Sequence, residues 1–188
     1  MRLLSNLAIG CLLLAATMPA FAGPVTVGGP WYEFEFGGVG TWAFSDPGGL
    51  IPSSGGNSVF ADDPPWTLTA GAAGALLTVT DAWSKGDAFE IFDSSVSIGS
   101  TPLVASVAGS VSDPAICVLD PTISHAVFSL AAGPHSITIQ TIASPYGSGG
   151  AYFRADNAGA GAIPAPSALL LVMSGLLGAF PWRRRAAH

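Results

Sequence analysis

The chain has 188 residues, of which 10% are charged and 49% hydrophobic, with 24 glycines and 15 prolines. No Gly-X-Y period accompanies that glycine and proline content, which excludes collagen, and the apolar content excludes wholesale disorder. Six basic residues face twelve acidic ones, a net charge of −6, and the basic stripe needed to neutralise nucleic-acid phosphates is missing.

The first segment reads as a secretory signal. Arg2 supplies a positive start, residues 7–16 form an apolar run, and Pro19 precedes the small-residue site Ala20-Phe21-Ala22. Cleavage after Ala22 is expected, so residues 1–22 are assigned as a signal peptide with a signal helix, and Gly23 as the mature start. The apolar run is too short for a permanent membrane anchor. Ala8-Ile9-Gly10-Cys11 resembles a lipoprotein site only loosely, because the apolar stretch before Cys11 is too short.

Residues 23–162 are punctuated as an all-β domain. Glu33-Phe34-Glu35-Phe36 alternates with period two, and residues 42–44 extend it beyond a glycine-rich turn. Short strands are predicted over 66–69, 75–80, 88–92 and 96–98, the last after an Asp93-Ser94-Ser95 turn, with a pair of short strands within 104–111. Residues 126–130 and 136–142 are expected to form a hairpin around Ala131-Ala132-Gly133-Pro134, and 151–154 closes the set. Eight to ten short strands separated by Gly, Pro, Asp and Ser predict a two-sheet antiparallel β-sandwich, jelly-roll-like, with no internal repeat. Segments between 77 and 154 also resemble exported bacterial and fungal β-sandwich proteins without established chemistry. Residues 87–93 loosely resemble the central strand of CUB-type sandwiches.

The last segment, residues 163–188, has three parts. Ile163-Pro164-Ala165-Pro166-Ser167 leads into an apolar stretch over 168–180, followed by Pro181, Trp182 and the cluster Arg183, Arg184 and Arg185. As a transmembrane helix, the 16 residues from 167 to 182 span roughly 24 Å at about 1.5 Å per residue, short of the ~30 Å hydrocarbon core. Snorkelling arginines and local thinning cover the difference. The positive-inside rule orients the arginines to the cytoplasm as a membrane stop.

This tail resembles the PEP-CTERM sorting signal of Gram-negative bacteria, which is a Pro-Glu-Pro motif, an apolar helix and a terminal Arg cluster. The sorting motif here is Pro164-Ala165-Pro166, with Ala165 where the family carries Glu. The resemblance implies an exosortase-type sorting enzyme as partner and transient residence in the inner membrane as a precursor. It further implies a final place at the cell surface or in extracellular exopolysaccharide or biofilm material. A plain tail anchor is the simpler alternative.

Between the two signals lie all twelve acids, but only Lys85 and Arg154 as cations. This acidity suits an extracytoplasmic protein that avoids anionic surfaces and nucleic acid. Cys11 leaves with the signal, so Cys117 has no partner for a disulfide and is expected to be buried and inert. No nucleophile elbow, zinc-protease motif or phosphate loop appears. His125 and His135 sit at strand starts, and nothing selects a triad from His135, Ser136 and an Asp. The chain is therefore expected not to be an enzyme and to have no catalytic residues.

Asp81, Asp87, Glu90, Asp93, Asp113 and Asp120 flank strand ends and could supply oxygen ligands to Ca²⁺. Asp residues are common in turns, and Asp87 and Asp93 lie at opposite ends of one strand, so no metal or other cofactor is assigned. Of Trp31, Tyr32, Trp42, Trp66, Trp83, Tyr146 and Tyr152, most are expected in the core and Tyr146 at the surface. Two functions follow. One is an exported non-enzymatic surface or matrix protein. The other is a carbohydrate-binding module acting in extracellular polysaccharide, which an exposed aromatic pair on one sheet face would favour.

Overall fold

The computed structural model describes residues 22–45 and 51–159. Ala20, the Pro164-Ala165-Pro166 motif, Arg183, Arg184, Arg185 and both expected terminal helices lie outside these residues. In chain order the elements are β1 (Gly23–Pro24), β2 (Trp31–Phe36), β3 (Phe44–Ser45), β4 (Ser58–Phe60), β5 (Trp66–Ala70), β6 (Ala75–Asp81) and β7 (Trp83–Ser84). There follow β8 (Ala88–Asp93), β9 (Val96–Ser100), β10 (Ser110–Val111), α1 (Pro114–Cys117), β11 (His125–Leu130), β12 (Gly133–Ala143) and β13 (Gly149–Asn157).

Alternation decides what each strand buries. In β2, Phe34 and Phe36 point inward and are fully buried; in β8, Phe89 and Ile91 do so; in β12, Ile137 and Ile139. The strands assemble into a five-stranded sheet of order β1-β5-β12-β8-β9 and a larger one of order β11-β6-β13-β2-β3, with β4 also on the edge of β2. Inner-face residues of both sheets form one hydrophobic cluster, so the fold is an all-β sandwich. At its centre the Phe34 ring lies 5.6 Å from Trp66 and 5.5 Å from Phe89, both in the opposite sheet, and 6.0 Å from Phe153 beside it. A smaller cluster of Trp31, Ala82, Cys117, Ile123 and Tyr152 lies on the outer side of the larger sheet, where Trp31 and Tyr152 alternate with the inward Tyr32 and Phe153.

The sheets are joined by a strap. Residues 40–43 run beside β12, with Gly40 N–H and Ala43 N–H donating to the carbonyls of Thr141 and Ile139, and Thr141 N–H donating to the carbonyl of Thr41. Two residues later β3 pairs with β2 in the other sheet. The segment thus takes the place alongside β12 that β5 occupies further along, where β5 pairs with 133–137.

Several expectations are corrected. The 126–130 and 136–142 strands exist but do not form a hairpin: β11 pairs with β6, whereas β12 pairs with β5 and β8. Ala131-Ala132 is short enough for a hairpin, but Gly133, at φ 122°, turns the chain into the opposite sheet. There Ile137 and Ile139 gain neighbours on both sides. Within 104–111 only Ser110–Val111 is a strand, paired with β7; Leu103 and Val107 are exposed and give the segment no inner face. Over 42–44, Trp42 makes an isolated bridge to Gln140, and only Phe44 enters a named strand. The sheets are not wholly antiparallel, since β1 lies parallel to β5 and β4 parallel to β2. The short helix α1 was not expected; Asp113 caps it by accepting from Ala115 N–H, and Pro114 opens it.

Phe34→Ala would leave a cavity touching both sheets and is expected to destabilise the domain by about 3–5 kcal/mol. Denaturant unfolding of the variant against the parent measures this, and a loss under about 1 kcal/mol would show that the cluster is not the keystone.

Candidate functional site

The acidic residues considered for Ca²⁺ disperse over separate roles. Asp120 pairs with Lys85 at 2.7 Å and also accepts from Thr122, and the Lys85 hydrogen bond, with those from Thr122, holds its carboxyl well below the usual range. Asp113 caps α1. Glu90 accepts from Ser97 Oγ at 2.7 Å. Asp93 accepts from Ser136 N–H and pairs with His135.

Asp81 and Asp87 alone lie together, both buried at the turn between β6 and β8. Asp81 accepts N–H groups from Ala82, Gly86 and Asp87. Burial, and then the Asp87 charge, push its carboxyl up to about 7 against those donors. Burial likewise raises Asp87, whose Oδ1 has no hydrogen-bond partner. No cluster of three or more His, Cys, Asp or Glu side chains that could hold a metal occurs among the described residues.

His135 and Ser136 do not form a nucleophilic pair. Adjacent strand residues face opposite sides of a sheet, and His135 faces inward beside Leu68 while Ser136 pairs with Thr67 on the outer side. His135 Nδ1 meets Asp93 Oδ2 at 2.6 Å and Nε2 meets the Ala131 carbonyl at 2.8 Å. Both partners are acceptors, so the imidazolium, which donates from both nitrogens, satisfies the geometry and leaves none free to take a proton from a nucleophile. His125 Nδ1 is occupied by the Ile123 carbonyl. The Cys117 thiol is fully buried, and burial, followed by the charges of Asp81 and Asp113, pushes it up to about 12. It is therefore a packed thiol and not a nucleophile.

The aromatic residues divide. Trp31, Tyr32, Trp66 and Tyr152 are buried. Arg154 lies 4.5 Å over the Trp31 ring, and Trp83 stacks on Tyr152. Tyr146 is exposed, as its glycine- and serine-rich loop suggested, with its hydroxyl against Ser106. Trp42 departs from the core assignment: it is 51% exposed. Ala43 takes the buried position on the strap, which turns the Trp42 indole outward.

On the outer face of the five-stranded sheet the Trp42 ring stands 5.2 Å from Phe92 at 61°. The two rings line a hollow of about 410 Å³ with Ser95 and Thr138. A second hollow of about 520 Å³ is lined among others by Thr67, Thr69, Ser94, His135 and Ser136. Phe92, Thr138 and Gln140 were not singled out from the sequence. The signal was present in Ile91-Phe92, where a second apolar residue breaks the alternation and must face outward once Ile91 is buried. It was present also in the polar parity of Ser136, Thr138 and Gln140.

No protein-family model, curated protein or solved structure matches this chain. Among the described residues no helix is long and apolar enough to cross a membrane.

The Asp93–His135 pair has a defined pH window. Burial opposes both charges, but the hydrogen bonds and mutual attraction outweigh it, lowering Asp93 and raising His135. The Asp93 contribution is present above its unfolded value of about 3.9 and is lost as pH falls through its lowered folded value. The His135 contribution is present below about 6.5 and is lost as pH rises through its raised folded value. The stability lost in His135→Ala is therefore expected to be larger at pH 5.5 than at pH 8.5. Thermal unfolding at the two pH values checks this, and an equal loss at both would contradict a charged pair.

Proposed function

We propose that this is an exported, non-enzymatic cell-surface or extracellular-matrix protein whose β-sandwich binds polysaccharide on the outer face of its five-stranded sheet. The observation that carries the binding reading is the exposed Trp42, set against Phe92 beside a row of hydroxyl side chains. An indole and a phenyl ring in the open offer apolar faces to the C–H side of a sugar ring, and neighbouring hydroxyls can both donate to and accept from its hydroxyls. The occupied nitrogens of His135 and the buried thiol of Cys117 support a non-enzymatic role.

We read the architecture as a jelly roll. Of the eight longer strands in chain order, the first, eighth, third and sixth (β2, β13, β6, β11) lie side by side in one sheet. The second, seventh, fourth and fifth (β5, β12, β8, β9) do so in the other, the order produced when a long double strand folds over twice.

Export and sorting rest on the sequence signals. Residues 1–22 act as a removable signal. Residues 163–188 hold the precursor in the inner membrane until an exosortase-type enzyme processes it near Pro164-Ala165-Pro166, leaving the domain at the cell surface or outside it. Deleting residues 169–185 is expected to release the domain as soluble periplasmic protein beginning at Gly23. Cell fractionation with intact-mass measurement reads both ends, and a tail-deleted protein that stays membrane-bound would refute the anchor.

Trp42→Ala is expected to abolish retention of the domain on polysaccharide from the native matrix while leaving the unfolding temperature unchanged. A pull-down compares the two, and equal retention would remove the glycan reading and leave a purely structural matrix role.

A further inference from the structure

We propose that the ligand of the Trp42–Phe92 face is an extended, uncharged polysaccharide chain lying along β12, an inference that rests on the glycan reading above. Along β12 the outward residues Ser136, Thr138 and Gln140 repeat every second position. At about 3.4 Å per residue they mark a track of roughly 14 Å, longer than a single sugar ring needs. Both hollows lie along this track: Ser94 and Ser136 line one, and Ser95 and Thr138, one and two residues further along the chain, line the other. The aromatic corner therefore sits at one end of a longer hydroxyl-lined path.

That path has groups for hydroxyls and no unengaged cation for an anion. Lys85 is engaged by Asp120 and Thr122. Arg154 is engaged by Asp156 and the Trp31 ring, in the other sheet. His135, which lines the 520 Å³ hollow, has both ring nitrogens taken by Asp93 and the Ala131 carbonyl. None of the three is left to pair with a uronate, sulfate or phosphate on this face. Glu90 stands opposite Gln140 in the ladder and would repel one. Hydroxyls, which donate and accept alike, beside the Gln140 amide, whose Nε2 donates to the Gly40 carbonyl at 3.1 Å, suit an uncharged chain whose rings present hydroxyl edges and apolar faces in turn.

Isothermal titration of the domain with a neutral glucan and its mono- to hexasaccharides, and with alginate as polyanion, tests the proposal. Affinity is expected to rise by about tenfold or more from the monosaccharide to the longer oligomers, with no binding of alginate. Ser136→Asp, which places a carboxylate in the hollow away from Trp42, is expected to weaken the long oligomers and leave the shortest unchanged. Trp42→Ala is expected to weaken all of them by about tenfold or more.

Affinity independent of length, or a Ser136→Asp variant indistinguishable from the parent, would overturn the extended track while leaving the Trp42 site in place. Tighter binding of alginate than of the glucan would overturn the uncharged ligand. Failure of every glycan to bind, or a Trp42→Ala variant that binds as the parent does, would overturn the glycan reading itself. A dimer dispersed by Trp42→Ala, without glycan binding, would reassign the face to a second copy of the chain.

Discussion

Everything in this domain leans on the aromatic contact between the two sheets. Phe34 meets Trp66 and Phe89 across the interface, Phe36 meets Phe89 at 4.9 Å, and Trp66 meets Phe153 at 4.7 Å. Cys117, the one free cysteine among the described residues, is buried in the smaller cluster and forms no cross-link. The adhesion of the sheets is apolar and aromatic, and each ring needs its strand in one register. A slip by one residue would turn Phe34 and Phe36 outward and bring Glu33 and Glu35 in. The strict alternation of those four residues fixes the position of β2, and β13 and the strap follow from it.

The strands were legible because half-buried strands write their orientation into the residue pattern. β2, β5, β6, β8 and β9 lie where the alternation puts them. What the pattern does not carry is which strand lies beside which. The Ala131-Ala132 link reads as a hairpin by length, and only the backbone angle at Gly133 sends β12 across to the other sheet. The α1 helix escaped because four residues are too few to show a helical period, although Asp113-Pro114 is a cap and a first turn in plain view.

The exposed aromatic pair was not legible in place. An exposed aromatic pair was the expected sign of sugar binding, yet Trp42 reads as a core residue because a large ring is worth most when buried. The strap reverses this: its carbonyls and N–H groups are committed to β12, which fixes the parity, and the small Ala43 receives the inward position. Phe92 follows the same logic beside Ile91. Both rings are outward because the backbone ladder outranks side-chain preference. The ladder is a long-range contact between residues nearly a hundred positions apart.

The strap also decides how the domain would carry tension. Trp42 sits on a segment hydrogen-bonded to β12 in one sheet and, two residues on, to β2 in the other. A polymer held by the indole, as proposed, would therefore load both sheets at once, through the backbone bonds to β12 and to β2. The rings behind β2 resist the same displacement, because sliding one sheet past the other would unseat Phe34 from Trp66 and Phe89. If the face binds polysaccharide as proposed, the strap ties that grip to both sheets and not to one edge alone.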